Sequence, residues 1–424
     1  MVLAALLLAI ALLALDRNTQ IEGISILGAV VPKGTPSAST LLSAIATSIL
    51  TVTGSVFSIA IVAIQLASGQ FGPRMLRDFM QDRGNQITFG TCCATFTYAV
   101  VVLWAIEDTA ELSFTPQISV FVGLLLTIAT VGVLIYFLHH IAELVHADNL
   151  IARIGRDLEG SIDRVFSTPS NYKQPARRVL EIPADFAKGA IALQAQNSGY
   201  IQQIDYQKLL KLATHLDLTI KIQNRPGQFV VKNSIIACAK PANAKAPKAL
   251  DSNKLNAKVN EAFSCGDQRK PKHDVEFPIK QLVETAIRAI SPAVNDPFTA
   301  IRCIDRLSVL LCYILQKDNQ SAHIFDPAGT LRLIIEPVTF EHLVNSAFDQ
   351  IRQYGQTDVS VTLRLLESIE TIAKQTRVAK EKAVLRRQAD MIKRASQDPN
   401  NISESNDRQE VLQQYNKTAQ ALSQ

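Results

Sequence analysis

The sequence predicts a multi-pass α-helical membrane domain of four helices, the first of them cut short, followed by a cytosolic α+β region. That region comprises a small β-rich module and a helical domain. Three observations carry the prediction. The chain is free of charge between Lys33 and Arg74. Up to Asn149 it holds only five Lys/Arg against nine Asp/Glu, whereas the remainder holds 38 basic and 29 acidic residues. Beyond Ala190 the apolar residues first alternate and then, after His273, recur at helical spacing. The overall figures of 47% hydrophobic and 19% charged are therefore an average over two unlike parts. A soluble domain carries about a quarter charged residues. The partition excludes a single soluble enzyme domain, a disordered chain and a disulfide scaffold.

The membrane domain is assigned to residues 1–148, with spans at about 1–15, 41–66, 87–106 and 117–138. The last three are apolar runs of the ~20 residues that cross a hydrocarbon core of about 30 Å. The run Met1–Leu15 is shorter and has no basic residue ahead of it, unlike a secretory signal. It reads as the C-terminal part of a first span, with the chain starting inside it. The segment Gly72–Gln86 contains Arg74, Arg77 and Arg83, while Glu107–Pro116 contains Glu107, Asp108 and Glu111 and no base. The positive-inside rule puts the first of these segments in the cytoplasm and the second outside. Everything after His139 is then cytosolic. None of the six cysteines forms a CxxC pair, so reduced structural thiols are expected.

Residues 149–180 read as a juxtamembrane helix (Leu150–Val165) and a connector broken at Ser167–Pro175. Residues 181–239 read as the β-rich module. Its strands are expected in the segment NSGYIQQID, at Leu218–Gln223, Gln228–Val231 and Ser234–Cys238, with a turn at Arg225-Pro226-Gly227 and a helix at Tyr206–His215. Residues 240–272, rich in Lys, Ala, Asn and Pro, read as a flexible basic linker. Residues 273–395 read as helices at Val275–Ile290, from Asp296-Pro297 onward, at Phe340–Gly355 and at Val359–Ala395, with 396–424 a polar tail. Asp296 is expected as a helix N-cap with Pro297 at the first helical position.

Several blocks together resemble one bacterial family of predicted membrane proteins, the domain of unknown function numbered 2254. They are VFSIAIVAIQLASGQFGPRMLRDFMQDRGNQITFGT (56–91), FLHHIAELV (137–145), DVEFPIKQLVETAIRAISPAVNDPFTAIRCIDRL (274–307) and AFDQIRQYG (347–355). The resemblance covers nearly the whole chain. It implies an integral inner-membrane protein with a cytoplasmic C-terminal domain. It implies no activity, and no catalytic or cofactor-binding residue is carried over.

Three constellations invite a functional reading. His139, Glu143 and His146 lie at i, i+4 and i+7 of a helix, a spacing able to hold a divalent metal; the plainer reading is a polar girdle against the Arg74–Arg83 loop. Ser43, Thr47, Thr51, Ser55 and Ser58 form a polar track along the second span, suited to a water-filled path or to close helix packing. Asn295 and Asp296, followed by Arg302 and Asp305, form a corner at a helix N-terminus where a ligand could dock, although Asp296 would itself fill the cap. A P-loop, a dinucleotide fingerprint and a nucleophile elbow are all missing from the sequence. Basic residues without interleaved aromatics do not indicate nucleic acid. The expectation is an oligomeric transport or channel-like protein in the lipid bilayer, most simply a homo-oligomer, with a cytosolic regulatory domain. The alternatives are a membrane-tethered sensor or scaffold and a metal-dependent membrane enzyme.

Overall fold

The computed structural model describes residues 1–18, 34–71, 79–109, 112–166, 186, 189–242, 251–317 and 321–424. Arg74, Arg77, Glu111 and the break at Ser167–Pro175 lie outside the described residues. The chain forms two compact units, Met1–Leu150 and Ile151–Gln424.

The first unit contains α1 (Val2–Asn18), α2 (Thr35–Phe71), α3 (Arg83–Trp104), a hairpin of β1 (Glu107–Thr109) and β2 (Leu112–Phe114), and α4 (Gln117–Val145). Three of these helices, over Thr35–Gly69, Arg83–Trp104 and Gln117–Glu143, are long and apolar enough to cross a membrane. Small residues let the helices approach closely: Ala5, Ala9, Ala38, Ala46 and Ala99 are buried beside Leu42, Ile45, Ile49 and Val102. Tyr98 is fully buried, and its hydroxyl donates to the Ser119 carbonyl at 2.8 Å. Thr95 and Thr130 share a hydrogen bond of 2.8 Å between α3 and α4. Pro116 offers α4 no side-chain cap. Asp16, at the end of α1, fills that role by accepting from the backbone N–H groups of Ile118 and Ser119 and from the Ser119 hydroxyl. A carboxylate there meets the positive end of the helix dipole.

The second unit begins within α5 (Ala147–Phe166), whose strongly amphipathic sequence contrasts with the largely apolar α4. Its β structure comprises two sheets. One has five strands in the order β3 (Ile191–Gln194), β7 (Ile235–Pro241), β5 (Leu218–Ile222), β10 (Leu331–Ile334) and β9 (His323–Phe325). The other has three, in the order β6 (Phe229–Val230), β4 (Gly199–Ile204) and β8 (Phe263–Gly266). Among the described residues β5 and β10 pair in parallel and the other ladders are antiparallel. α6 (Tyr206–His215) is capped by Asp205, and α7 (Ser252–Asn260) by Asp251. Leu193, Ile201, Leu209, Leu218, Ile220 and Val259 are fully buried in the core these elements share.

Helices α8 (Glu276–Ala289), α9 (Pro297–Leu315), α10 (Phe340–Tyr354), α11 (Val359–Ala373), α12 (Ala379–Ser396) and α13 (Ser405–Ser423) follow. α8 packs on α9 and α10, α9 on α11, and α13 on α11 and α12. All six cysteines are free thiols.

Four expectations are corrected. The β-rich module does not close within 181–239, because its sheets recruit β8, β9 and β10 from segments read as linker and helices. The supposed linker 240–272 holds α7 and β8. In α7 just two apolar side chains one turn apart, Leu255 and Val259, are buried, too few to lift the segment's polar composition. The single helix expected over Val359–Ala395 is two, with Thr376 turning the chain by bonding the Val378 N–H and the Glu381 carboxylate. The polar tail 396–424 contains α13, which buries Val411, Thr418, Ala421 and Leu422.

Candidate functional site

The structure separates the residues of the first constellation. α4 ends at Val145, and His146 takes an extended backbone (φ −66°, ψ 127°), so it leaves the helical face of His139 and Glu143. Those two form an exposed pair at 3.3 Å. Among the described residues, no group of three or more His, Cys, Asp or Glu side chains has the geometry to hold a metal ion. The neighbouring His140 is better held: its Nε2 lies 2.8 Å from Asp82, the N-cap of α3, and its ring stacks on Tyr136.

Ser43, Thr47, Thr51, Ser55 and Ser58 all sit on the exposed face of α2, opposite the buried Ala38, Leu42, Ile45 and Ile49. The Thr51 hydroxyl donates back to the Thr47 carbonyl at 2.8 Å. The track therefore does not pack within the protomer.

The third constellation is a helix–turn–helix corner. Asp296 caps α9, accepting from the Thr299 N–H at 3.1 Å and the Thr299 hydroxyl at 2.6 Å. Its own N–H donates to the Ala289 carbonyl, closing the corner on α8. Asn295 supplies the left-handed residue (φ 51°) that the reversal needs. Asp305 is paired with Arg364, and Arg302 is exposed on α9. With the cap filled by Asp296 and Asp305 paired, these two carboxylates hold the corner in place.

What the structure does converge lies elsewhere. A cavity of about 270 Å³ is lined from the end of α5 (Arg164), the start of α6 (Asp205, Tyr206), the turn after β5 (Arg225, Pro226), the segment His273–Glu276 and the ends of β9 and β10 (Ile324, Ile335, Glu336). Its frame is a network of charges. Arg225 donates to Glu276 at 2.5 Å and to Glu336 at 3.2 Å, and His342 lies 3.0 Å from Glu276. Arg269 grips Asp274 through two bonds of 2.7 and 2.8 Å. The Arg225 and Glu276 side chains are only 12% and 10% exposed, so the pair is held largely away from water. Gly227, at φ +92°, lets the turn approach this frame; a Cβ there would lie 2.2 Å from the Asp274 carboxylate.

Environment separates the two acids. Burial raises the pKa of Asp274 above the usual carboxylate value in spite of Arg269. Burial acts on Glu276 in the same sense, but Arg225 and His342 outweigh it and hold its carboxyl below that value. His273 is pushed down by burial and by its neighbours Lys272 and Arg164, which favours the neutral ring. Burial pushes the Tyr206 phenol up to about 12.

None of these residues was singled out from the sequence. Arg225 was read only as part of a turn. Asp274 and Glu276 open the shared block 274–307, which was the available signal, whereas the candidate corner lies at its Asn295–Asp296 end.

A family model described as "Predicted membrane protein (DUF2254)" matches residues 1–371. An uncharacterized protein of Mycobacterium tuberculosis strain H37Rv is 27% identical over 383 residues, covering 90% of this chain and 72% of the relative. An uncharacterized protein of Mycobacterium bovis matches to the same extent. No solved structure matches the chain.

Proposed function

The chain belongs to the DUF2254 family of predicted membrane proteins, and from that premise we propose that it is a membrane-tethered sensor that binds a small molecule in its second unit. In this reading the first unit spans the bacterial inner membrane, with α1 as a fourth crossing and the second unit in the cytosol. The Arg74–Arg83 segment and the acidic Glu107–Glu111 segment support that orientation. The observation that carries the reading is the cavity framed by Arg225, Glu276 and Asp274. Buried charges are costly and are tolerated where paired. Here they are paired around an open space rather than around packed side chains, as in a preformed ligand site.

The test is a thermal-shift screen of the detergent-solubilised full chain against soluble carboxylates, amines and neutral polar compounds. At least one compound should raise the melting temperature, and Ile324→Phe, which fills the cavity, should abolish the shift. No stabilisation by any compound, or stabilisation that survives the filled cavity, would overturn the reading.

A second reading, an oligomeric transport or channel-like assembly, is favoured by one observation: Ser43, Thr47, Thr51, Ser55 and Ser58 of α2 face outward from the protomer. Hydroxyl faces in lipid serve helix–helix contact between subunits or a shared aqueous path. With Cys93 replaced by alanine, Thr51→Cys should crosslink copies in native membranes, and reconstituted protein should pass ions. A strictly monomeric pattern without flux would remove this reading.

A further inference from the structure

The pairing pattern around the cavity leaves its acids satisfied and a set of donors unsatisfied. Asp274 is held by Arg269, and Glu276 by Arg225 and His342, while Asp205 accepts from the Lys208 N–H. On the other side, His273 Nε2 is buried with no hydrogen-bond partner among the described residues. The Tyr206 hydroxyl makes no hydrogen bond among those residues either. Arg164 spends only its Nε, on the Lys272 carbonyl at 2.9 Å, and has no carboxylate partner among them. A buried polar atom without a partner is rare in folded proteins, and His273 carries one at a cavity that it lines together with Tyr206, the exposed Arg164, Ile204, Ile324 and Ile335. A second cavity, of about 280 Å³, differs: there the Asn260 amide is already used by Gln194 and Gln196.

We infer that the cavity takes a small monoanionic organic acid, its carboxylate received by Arg164, Tyr206 and His273 and its apolar body lying against the three isoleucines. The inference rests on the ligand-binding reading above and names the ligand class. A guanidinium, a phenol and a neutral imidazole N–H are all donors suited to a carboxylate. A dianion such as a phosphate fits poorly, because Arg225 is already spent on Glu276 and Glu336, and Arg164, with no carboxylate partner among the described residues, offsets one negative charge and not two.

The experiment is calorimetric titration of the full chain in lipid nanodiscs with 3-phenylpropanoate, its amide, its amine, phenyl phosphate and inorganic phosphate. The propanoate should bind, with the amide about tenfold weaker for want of charge-assisted bonds. Tyr206→Phe, which keeps the ring and its packing, and Arg164→Gln should each weaken the propanoate about five- to tenfold. Equal or tighter binding of the amide, the amine or either phosphate would overturn the inference. So would full affinity in both variants. Failure of all five probes, while a non-acidic compound from the wider screen binds, overturns the ligand class and spares the sensor reading. Silence across the wider screen removes both.

Discussion

The two units satisfy their polar groups in opposite ways. In the first, hydroxyls turn inward on their own helices: Thr51, Thr91, Thr97 and Thr127 each donate to the carbonyl four residues earlier. Contacts between helices within the span are neutral, as at Thr95–Thr130 and Tyr98–Ser119, and the carboxylates that join helices, Asp16 and Asp82, sit at helix ends. In the second, charges reach across the chain: Arg332 binds Asp326 and Asp217, and Arg225 gathers Glu276 and Glu336. An apolar surround offers no water to a displaced charge, so a membrane unit is built from groups that complete their bonds locally. A unit that faces water folds around longer-range pairs, and only such a unit can leave donors poised over a cavity.

Breaking the network should separate the units most clearly. Arg225→Met takes from Glu276, 10% exposed, its closest partner and should cost about 3–5 kcal/mol. Hydrogen exchange should rise throughout the β-rich core and stay unchanged in α2, α3 and α4; uniform loss of protection would show that the units do not melt separately. Gly227→Ala is next, at about 2 kcal/mol, because it combines a positive φ with a Cβ placed against the Asp274 carboxylate. Denaturant midpoints of the same reporters measure it.

Acid offers a sharper contrast. Glu276 ionises more readily in the folded chain than in the unfolded one, so the unfolded state binds more protons as pH falls through the carboxylate range. The stability it contributes is present above its unfolded pKa of about 4.5 and is lost as pH falls below that toward its folded value. The Glu276→Gln variant, less stable at neutral pH, should show a flatter stability profile through that window. An identical slope in the variant would assign the acid sensitivity to other groups. The smallest effect belongs to the membrane unit, where a Thr95→Val/Thr130→Val double-mutant cycle should give a coupling of about 0.6 kcal/mol. A coupling as large as that of the buried ion pairs would erase the distinction between the units.

The legible parts of the sequence were those set by neighbours along the chain. The charge-free runs marked three long helices, and Asp296-Pro297 marked a helix start that is capped as its residue types require. Tyr206–His215 is helical over its expected length. Local pattern could not show that β10 would lie beside β5, since three short apolar residues at 333–335 carry no sign of a distant partner. The cavity was hidden for the same reason: Arg164, Tyr206, Arg225, His273 and Glu336 are scattered over five segments and meet only once both sheets form. The i, i+4, i+7 spacing assumed one continuous helix, and the ψ of 127° that takes His146 off it was not legible in the spacing.

The parallel pairing of β5 with β10 also sets a timetable for synthesis. β3, β7 and β5 can associate once residue 241 has emerged, but the outer edge of β5 stays open until Leu331–Ile334 leave the ribosome. At elongation rates of roughly 5–20 residues per second, that interval lasts about 5–20 seconds. During it a nascent chain already anchored at the membrane displays an unpaired strand containing Ile220 and Ile222. Neighbouring ribosomes on one message would bring such edges close together, so the interval before β10 arrives is when the protein is most exposed to pairing with another copy of itself.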